Sequence, residues 1–352
     1  MRTTIFSTTL VIAVIAFSSL TIKEPALAEI RLAISKSLTV LQKSGYDFTQ
    51  RTPFHCASCH HNTIISMIEE KGVQKGIAIV DTFKTQRMRA LVSTIRIACN
   101  INTPDEFVPA KFIAPYVLLG LAAEKYPAEP YTDIAVDYLI NQQRTDGSFG
   151  AEYGRPPLEG GEIHLAALSV RAIQLYAPPA RTEKVKQLMS LTRSWLENTR
   201  ADVPQELAFQ LLGLQWCGSS MQQKEKVAAR LRATQRPDGG WSQLPTMASD
   251  AYATGQALYA LSESGATQPQ DEVYRKGIAW LMRRQDPTGA WIVETRAYPI
   301  QPFFNSDFPP YDENQYISAA ATNWAALALL NALPDVAVLA AAPTQPHATS
   351  TP

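Results

Sequence analysis

The sequence carries no charge excess, because 32 Lys and Arg are matched by 32 Asp and Glu. With no basic cluster either, it lacks the electrostatic footprint of a nucleic-acid-binding protein. Cysteine is scarce: four residues in 352 are too few for a disulfide-built scaffold. Beyond residue 21 no segment has the ~18 uninterrupted apolar residues that a membrane span requires. Sustained alternation of period two is also missing, which removes the usual signature of half-buried strands. What remains is a chain with 46% hydrophobic residues and 31 aromatics, too apolar to be disordered over most of its length. At this size it buries roughly three quarters of its unfolded surface.

The first 28 residues read as a signal peptide. Arg2 supplies a short basic region, Ile5–Thr21 an apolar stretch diluted by Ser and Thr, and Ala26-Leu27-Ala28 a small-residue cleavage site. The alternative is an uncleaved anchor, which the interrupting hydroxyl residues disfavour. No cysteine follows the site, so no lipid anchor is expected. The mature protein is expected to be soluble and exported, periplasmic or extracellular.

Three segments superpose. They run Leu139–Phe149, Leu231–Trp241 and Leu281–Trp291. In each, a Leu precedes a Gln (Gln143, Gln235, Gln285), a Gly follows (Gly147, Gly239, Gly289), and an aromatic closes the turn. A degenerate copy starts at Trp195-Leu196, with Arg200 in place of the Gln. Each copy ends an amphipathic helix, turns on Pro, Asp or Gly, and opens a helix that is apolar nearly all round. A helix with one wet face belongs to an outer layer and one with none to an inner layer. Outer helices are expected near 29–44, 76–98, 131–142, 182–198, 222–234 and 270–284. Inner helices are expected near 61–72, 108–124, 161–176, 204–216, 248–263 and 316–333. The fold class is therefore all-α, an (α/α)6 toroid spanning 29–334, with an Ala-, Pro- and Thr-rich tail over 335–352 read as disordered.

The turns QRPDGGW and QDPTGAW resemble the QW repeats of squalene-hopene and oxidosqualene cyclases. The stretches SDAYATGQALYAL and ISAAATNWAALAL resemble bacterial squalene-cyclase-like repeat proteins of the terpenoid cyclase superfamily. The resemblance covers about 105–333 and is most specific over 231–333. It implies a toroid around an apolar cavity for an isoprenoid or hydrocarbon-like ligand. The turn residues are expected to be scaffold, with the Gln amide bridging orphan backbone groups and the Trp packing over the turn. The D-x-D-D acid segment of squalene-hopene cyclases is missing, as is the zinc pattern of protein prenyltransferases, so neither activity transfers directly.

The segment His55-Cys56-Ala57-Ser58-Cys59-His60-His61 contains C-x-x-C-H, the attachment signature of a c-type haem. Two thiols would bind the haem vinyls, and His60 would bind the iron. A zinc site on Cys56, Cys59 and a histidine such as His61, a Cys pair in a disulfide, and an inert segment are the alternatives. Some squalene-cyclase-like repeat proteins have a similar SCHH segment, whereas the cyclases lack it. A second iron ligand cannot be Met67 or His61, which lie on or beside the same helix as His60. His164, opening another inner helix, is the expected candidate. Cys99 and Cys217 read as buried small hydrophobes.

Glu162 and Asp250 also lie at inner-helix starts, where capping and the helix dipole favour a carboxylate. Their functional reading is an acid that protonates an alkene or epoxide. Three functions follow: a haem-dependent oxidoreductase or electron-transfer protein with a redox partner, a polyprene cyclase or isomerase, and a non-catalytic binding or scaffold protein with a structural Cys pair.

Overall fold

The computed structural model describes residues 25–52, 55–98, 110–150, 155–297 and 306–336. Twelve α-helices occur among them, and they alternate outer and inner as expected. The outer helices are α1 (Leu27–Arg51), α3 (Lys84–Ala98), α5 (Pro130–Gln142), α7 (Thr182–Asn198), α9 (Met221–Ala233) and α11 (Glu272–Arg284). The inner ones are α2 (Ile64–Gln74), α4 (Ala110–Ala123), α6 (Glu162–Tyr176), α8 (Pro204–Trp216), α10 (Ala251–Glu263) and α12 (Gln315–Asn331). Each inner helix packs on the next, and α12 packs back on α2 and α1, so the ring closes. It is an (α/α)6 toroid. Burial follows the layers: every residue of α12 from Ile317 to Asn331 is buried, whereas α7 buries only Leu188, Thr192 and Leu196.

The Gln-aromatic turns join one hairpin to the next. Gln143 Nε2 donates to Leu188 O and Thr192 Oγ1 of α7, and Gln235 Nε2 to Val273 O of α11. Gln285 Nε2 donates to Ala33 O of α1 and so closes the circle. The indoles cap the helix they follow, Trp241 Nε1 donating to Leu231 O at 2.9 Å and Trp291 Nε1 to Leu281 O at 2.8 Å. In the degenerate copy Gln210 of α8 does this work, its amide donating to Leu196 O and Thr199 O.

Two expected boundaries move. Helix α1 continues to Arg51 through Gly45, because a Cβ there would lie 2.3 Å from the His61 carbonyl; Gly45 permits close packing rather than ending the helix. The helix expected from residue 76 starts at Lys84, after Gly76 with φ +69°. Helix α1 begins at Leu27, so cleavage after Ala28 would fall within its first turn. The apolar stretch Ile5–Thr21, Cys99 and the tail from residue 337 lie outside the described residues. No helix among the described residues is long and apolar enough to cross a membrane.

Candidate functional site

The C-x-x-C-H segment enters the ring just ahead of α2. Cys59–Thr63 forms a single π-helical turn, and Ser58 caps it, its Oγ accepting from the His60 and His61 backbone amides. Asn62 Nδ2 ties the turn to Gly45 O of α1 at 2.9 Å, and Asn323 Nδ2 of α12 ties it to His60 O at 2.6 Å. The wide turn rotates successive side chains apart, so the two histidines face different surroundings.

His61 stacks on Phe48 at 5.1 Å and meets Tyr316 edge-on at the same distance. Ser58 Oγ already accepts two amides, so its hydroxyl proton goes to His61 Nδ1 at 3.2 Å. His60 faces the bore, where its ring meets Tyr116 of α4 edge-on at 5.1 Å. His60 Nδ1 and His61 Nε2 are buried with no hydrogen-bond partner among the described residues. Burial is the main cause that pushes both imidazoles down to about 3, so both are neutral at physiological pH.

His164 of α6 reaches the same place. Its Nδ1 donates to Gly160 O at 3.2 Å, which leaves Nε2 to accept the Tyr116 hydroxyl proton at 2.9 Å. Both nitrogens are therefore engaged, and His164 would come to an iron only by releasing Tyr116. Burial lowers His164 to about 4.

Among the described residues, Cys56, Cys59 and Cys217 are unpaired. Cys56 lies by Thr94 of α3, which also accepts the Ala57 amide at 2.7 Å. Cys59 turns toward the bore, where burial and then Glu159 push its thiol pKa up. No three His, Cys, Asp or Glu side chains converge in a metal-holding group among the described residues. His61 in particular is turned into the aromatic box of Phe48 and Tyr316, away from the zinc grouping with Cys56 and Cys59.

The two rim carboxylates stand at the starts of α6 and α10. Glu162 pairs with Arg144 at 3.1 Å and is half exposed on the outer edge. It precedes His164 by two residues, about 200° around the helix, so only one of them can face the bore. Asp250 caps α10, with Oδ1 accepting from Ala253 N at 2.9 Å and Oδ2 from Gln243 N at 3.2 Å. Burial raises its carboxyl to about 6, and the charge of Asp250 acts on Tyr252 in the bore.

Sequence reasoning missed the residues that complete the mouth. Tyr116 sits mid-helix in an apolar run, where it reads as core. The segment Arg155–Gly161 reads as a plain Pro/Gly loop, yet it lies over the site. The Leu158 carbonyl faces the His60 ring, and Arg155 and Glu159 pair with each other beside Cys59. Below the mouth the axis is packed with rings: Phe209 of α8 contacts His164, and Trp324 of α12 contacts Phe209 and Tyr259. A cleft of about 410 Å³ lies instead on the outer face of α3, beside Met88, Val92 and Tyr126.

Residues 191–340 match the family described as Squalene-hopene cyclase C-terminal domain. Over that part the chain is similar to the squalene cyclases. Drimenyl diphosphate synthase from Streptomyces showdoensis is 29% identical over 45% of this chain and 31% of its own length. Squalene–hopene cyclase from Zymomonas mobilis is 25% identical over 54% of this chain and 23% of its own. The squalene-cyclase-like protein thus spans less than a third of these relatives. Among solved structures, the type II terpene cyclase MstE from Scytonema shares the fold. Its TM-score is 0.57 at 14% identity, covering 88% of this chain and 99% of that one.

Proposed function

We propose that this squalene-cyclase-like toroid binds an isoprenoid-like apolar ligand and carries a redox cofactor, haem c, on Cys56, Cys59 and His60. The observation that supports this reading most is the C-x-x-C-H turn itself, facing the bore under a roof of Arg155–Gly161. Two unpaired thiols stand three positions apart, followed by a buried neutral imidazole whose Nδ1 lacks a partner. That donor set suits haem c: the thiols would form its thioethers and His60 would bind its iron, supplying one-electron chemistry at the mouth. The ligand class draws support from the fold, since MstE has also been solved in complex with geranylgeranyl dihydroxybenzoate.

The chain's own groups define the rest. Tyr116 keeps its proton, because burial raises its pKa, and delivers a fixed hydrogen bond to His164. Gly160 O holds His164 in the tautomer that accepts this bond. Cyclase-type protonation at Asp250 is the weaker reading, because its oxygens already accept from backbone amides, Oδ1 from Ala253 of α10 and Oδ2 from Gln243 ahead of that helix. Export to a compartment where haem c is attached belongs to the same proposal.

The test is expression of the full chain with a cytochrome c maturation system. Covalent haem that survives denaturation, and its loss when Cys56→Ser and Cys59→Ser are combined, is the expected result. Unmodified thiols from a host that attaches haem c efficiently would overturn the reading.

A further inference from the structure

The segment Arg155–Gly161 directly precedes α6, and a plain connection would need to touch only the neighbouring helices. It reaches much further. Gly160 O accepts from His164 of α6, and Pro157 O accepts from Gln205 Nε2 of α8 at 2.9 Å. The same Pro157 carbonyl accepts a second bond from Tyr252 Oη of α10 at 3.4 Å. Leu158 packs on the core with its carbonyl at His60, and the Arg155 charge is felt by Tyr316 of α12. Seven residues thus bond to, pack on or act by charge on groups from five of the six hairpins around the mouth of the ring.

We infer that Arg155–Gly161 is a hinged roof that gates the Cys59–His60 mouth, latched through the Pro157 carbonyl by Gln205 and Tyr252. The hinge is Gly160-Gly161. Gly161 holds φ +91°, a conformation other residues rarely adopt, and a Cβ added there would meet nothing within 4 Å. Glycine at this position therefore serves backbone freedom and not close packing. The latch is two hydrogen bonds on one carbonyl, one of them long, so it can open without unfolding a helix. The Arg155–Glu159 pair lies within the roof and keeps it stiff as it moves. Beneath it His60 is buried and Cys59 partly buried.

The inference takes its purpose from the proposed use of the mouth. Thiol labelling needs neither ligand nor haem, however, so gate and function can fail separately. Full-length protein made in a reducing cytosol is treated with methyl methanethiosulfonate, and each cysteine is followed by mass spectrometry. The double variant Gln205→Ala with Tyr252→Phe is expected to speed Cys59 labelling by about tenfold, the effect of removing a bond or two from a local opening equilibrium. Cys56, held by Thr94 of α3, and the buried Cys217 keep their rates. The near-isosteric Tyr252→Phe alone, which preserves packing if the double variant fails to fold, speeds Cys59 by a smaller factor. An unchanged Cys59 rate in both variants, or parallel acceleration of Cys56, Cys59 and Cys217, would overturn the gate.

Discussion

Gln285 and Ala33 lie 252 positions apart in sequence, yet the amide of the first donates to the carbonyl of the second at 2.9 Å. The last Gln-aromatic turn is thereby fastened to the first helix, and the same amide also reaches Gly289 O. Gln285→Ala leaves buried carbonyls without a donor and should cost about 1–3 kcal/mol. Trp291→Ala, which empties a nearly fully buried site, should cost about 3–5 kcal/mol. Urea unfolding of the two variants checks both, and an unchanged midpoint for either would show that the turn is not a staple.

Gly289 and Gly218 separate two uses of glycine. Both have positive φ, +95° and +69°. A Cβ on Gly289 would lie 2.6 Å from the Lys36 backbone, whereas one on Gly218 meets nothing within 4 Å. Gly218→Ala should therefore cost only the strain of a left-handed residue, about 1–2 kcal/mol. Gly289→Ala should cost clearly more, since α1 must move away. Equal losses of melting temperature would contradict the close approach.

Arg87 is 4% exposed and pairs with Glu69, Asp81 and Glu124, joining α2, α3 and α4. Replacing it by Met strands three buried or half-buried carboxylates, and only Lys84 remains to pair Glu124. The expected loss is about 3–5 kcal/mol. Comparison with Arg181→Met, which breaks an exposed pair with Asp137, provides the control, and similar losses would refute the account.

The layer order was legible because an amphipathic and an all-apolar helix differ in composition on every turn. Boundaries were not legible where glycine has a packing role: the helix expected near 29–44 runs on through Gly45, and only the three-dimensional contact with His61 shows why. The C-x-x-C-H turn was readable from spacing alone, and so was its placement at an inner-helix start. Its neighbours were not, since Tyr116, Gln205 and Tyr252 reach the mouth from separate helices with no local motif. The separation of Glu162 and His164, about 200° around α6, was legible from their spacing of two residues.

His60, His61 and His164 are neutral in the folded protein, lowered by burial to about 3, about 3 and about 4. In the unfolded chain they protonate near pH 6.5. Unfolding therefore takes up protons below that pH, and stability falls as pH drops from about 6.5 toward 4. His164 alone contributes on the order of 3 kcal/mol across that window. Urea titrations at pH 7, 6 and 5 should show the decline, and His164→Gln should reduce its slope by about a third. A slope unaffected by that variant would mean that His164 is already charged when folded.

The central claim, a haem-bearing mouth on a squalene-cyclase-like ring, meets its most direct test in one absorption spectrum. The full chain is co-expressed with a cytochrome c maturation system, and the purified protein is recorded before and after denaturation beside His60→Ala. The account predicts a c-type haem band that persists through denaturation, with its coordination altered in the variant. A colourless protein with both thiols free, from a host that attaches haem c to other chains, would contradict it.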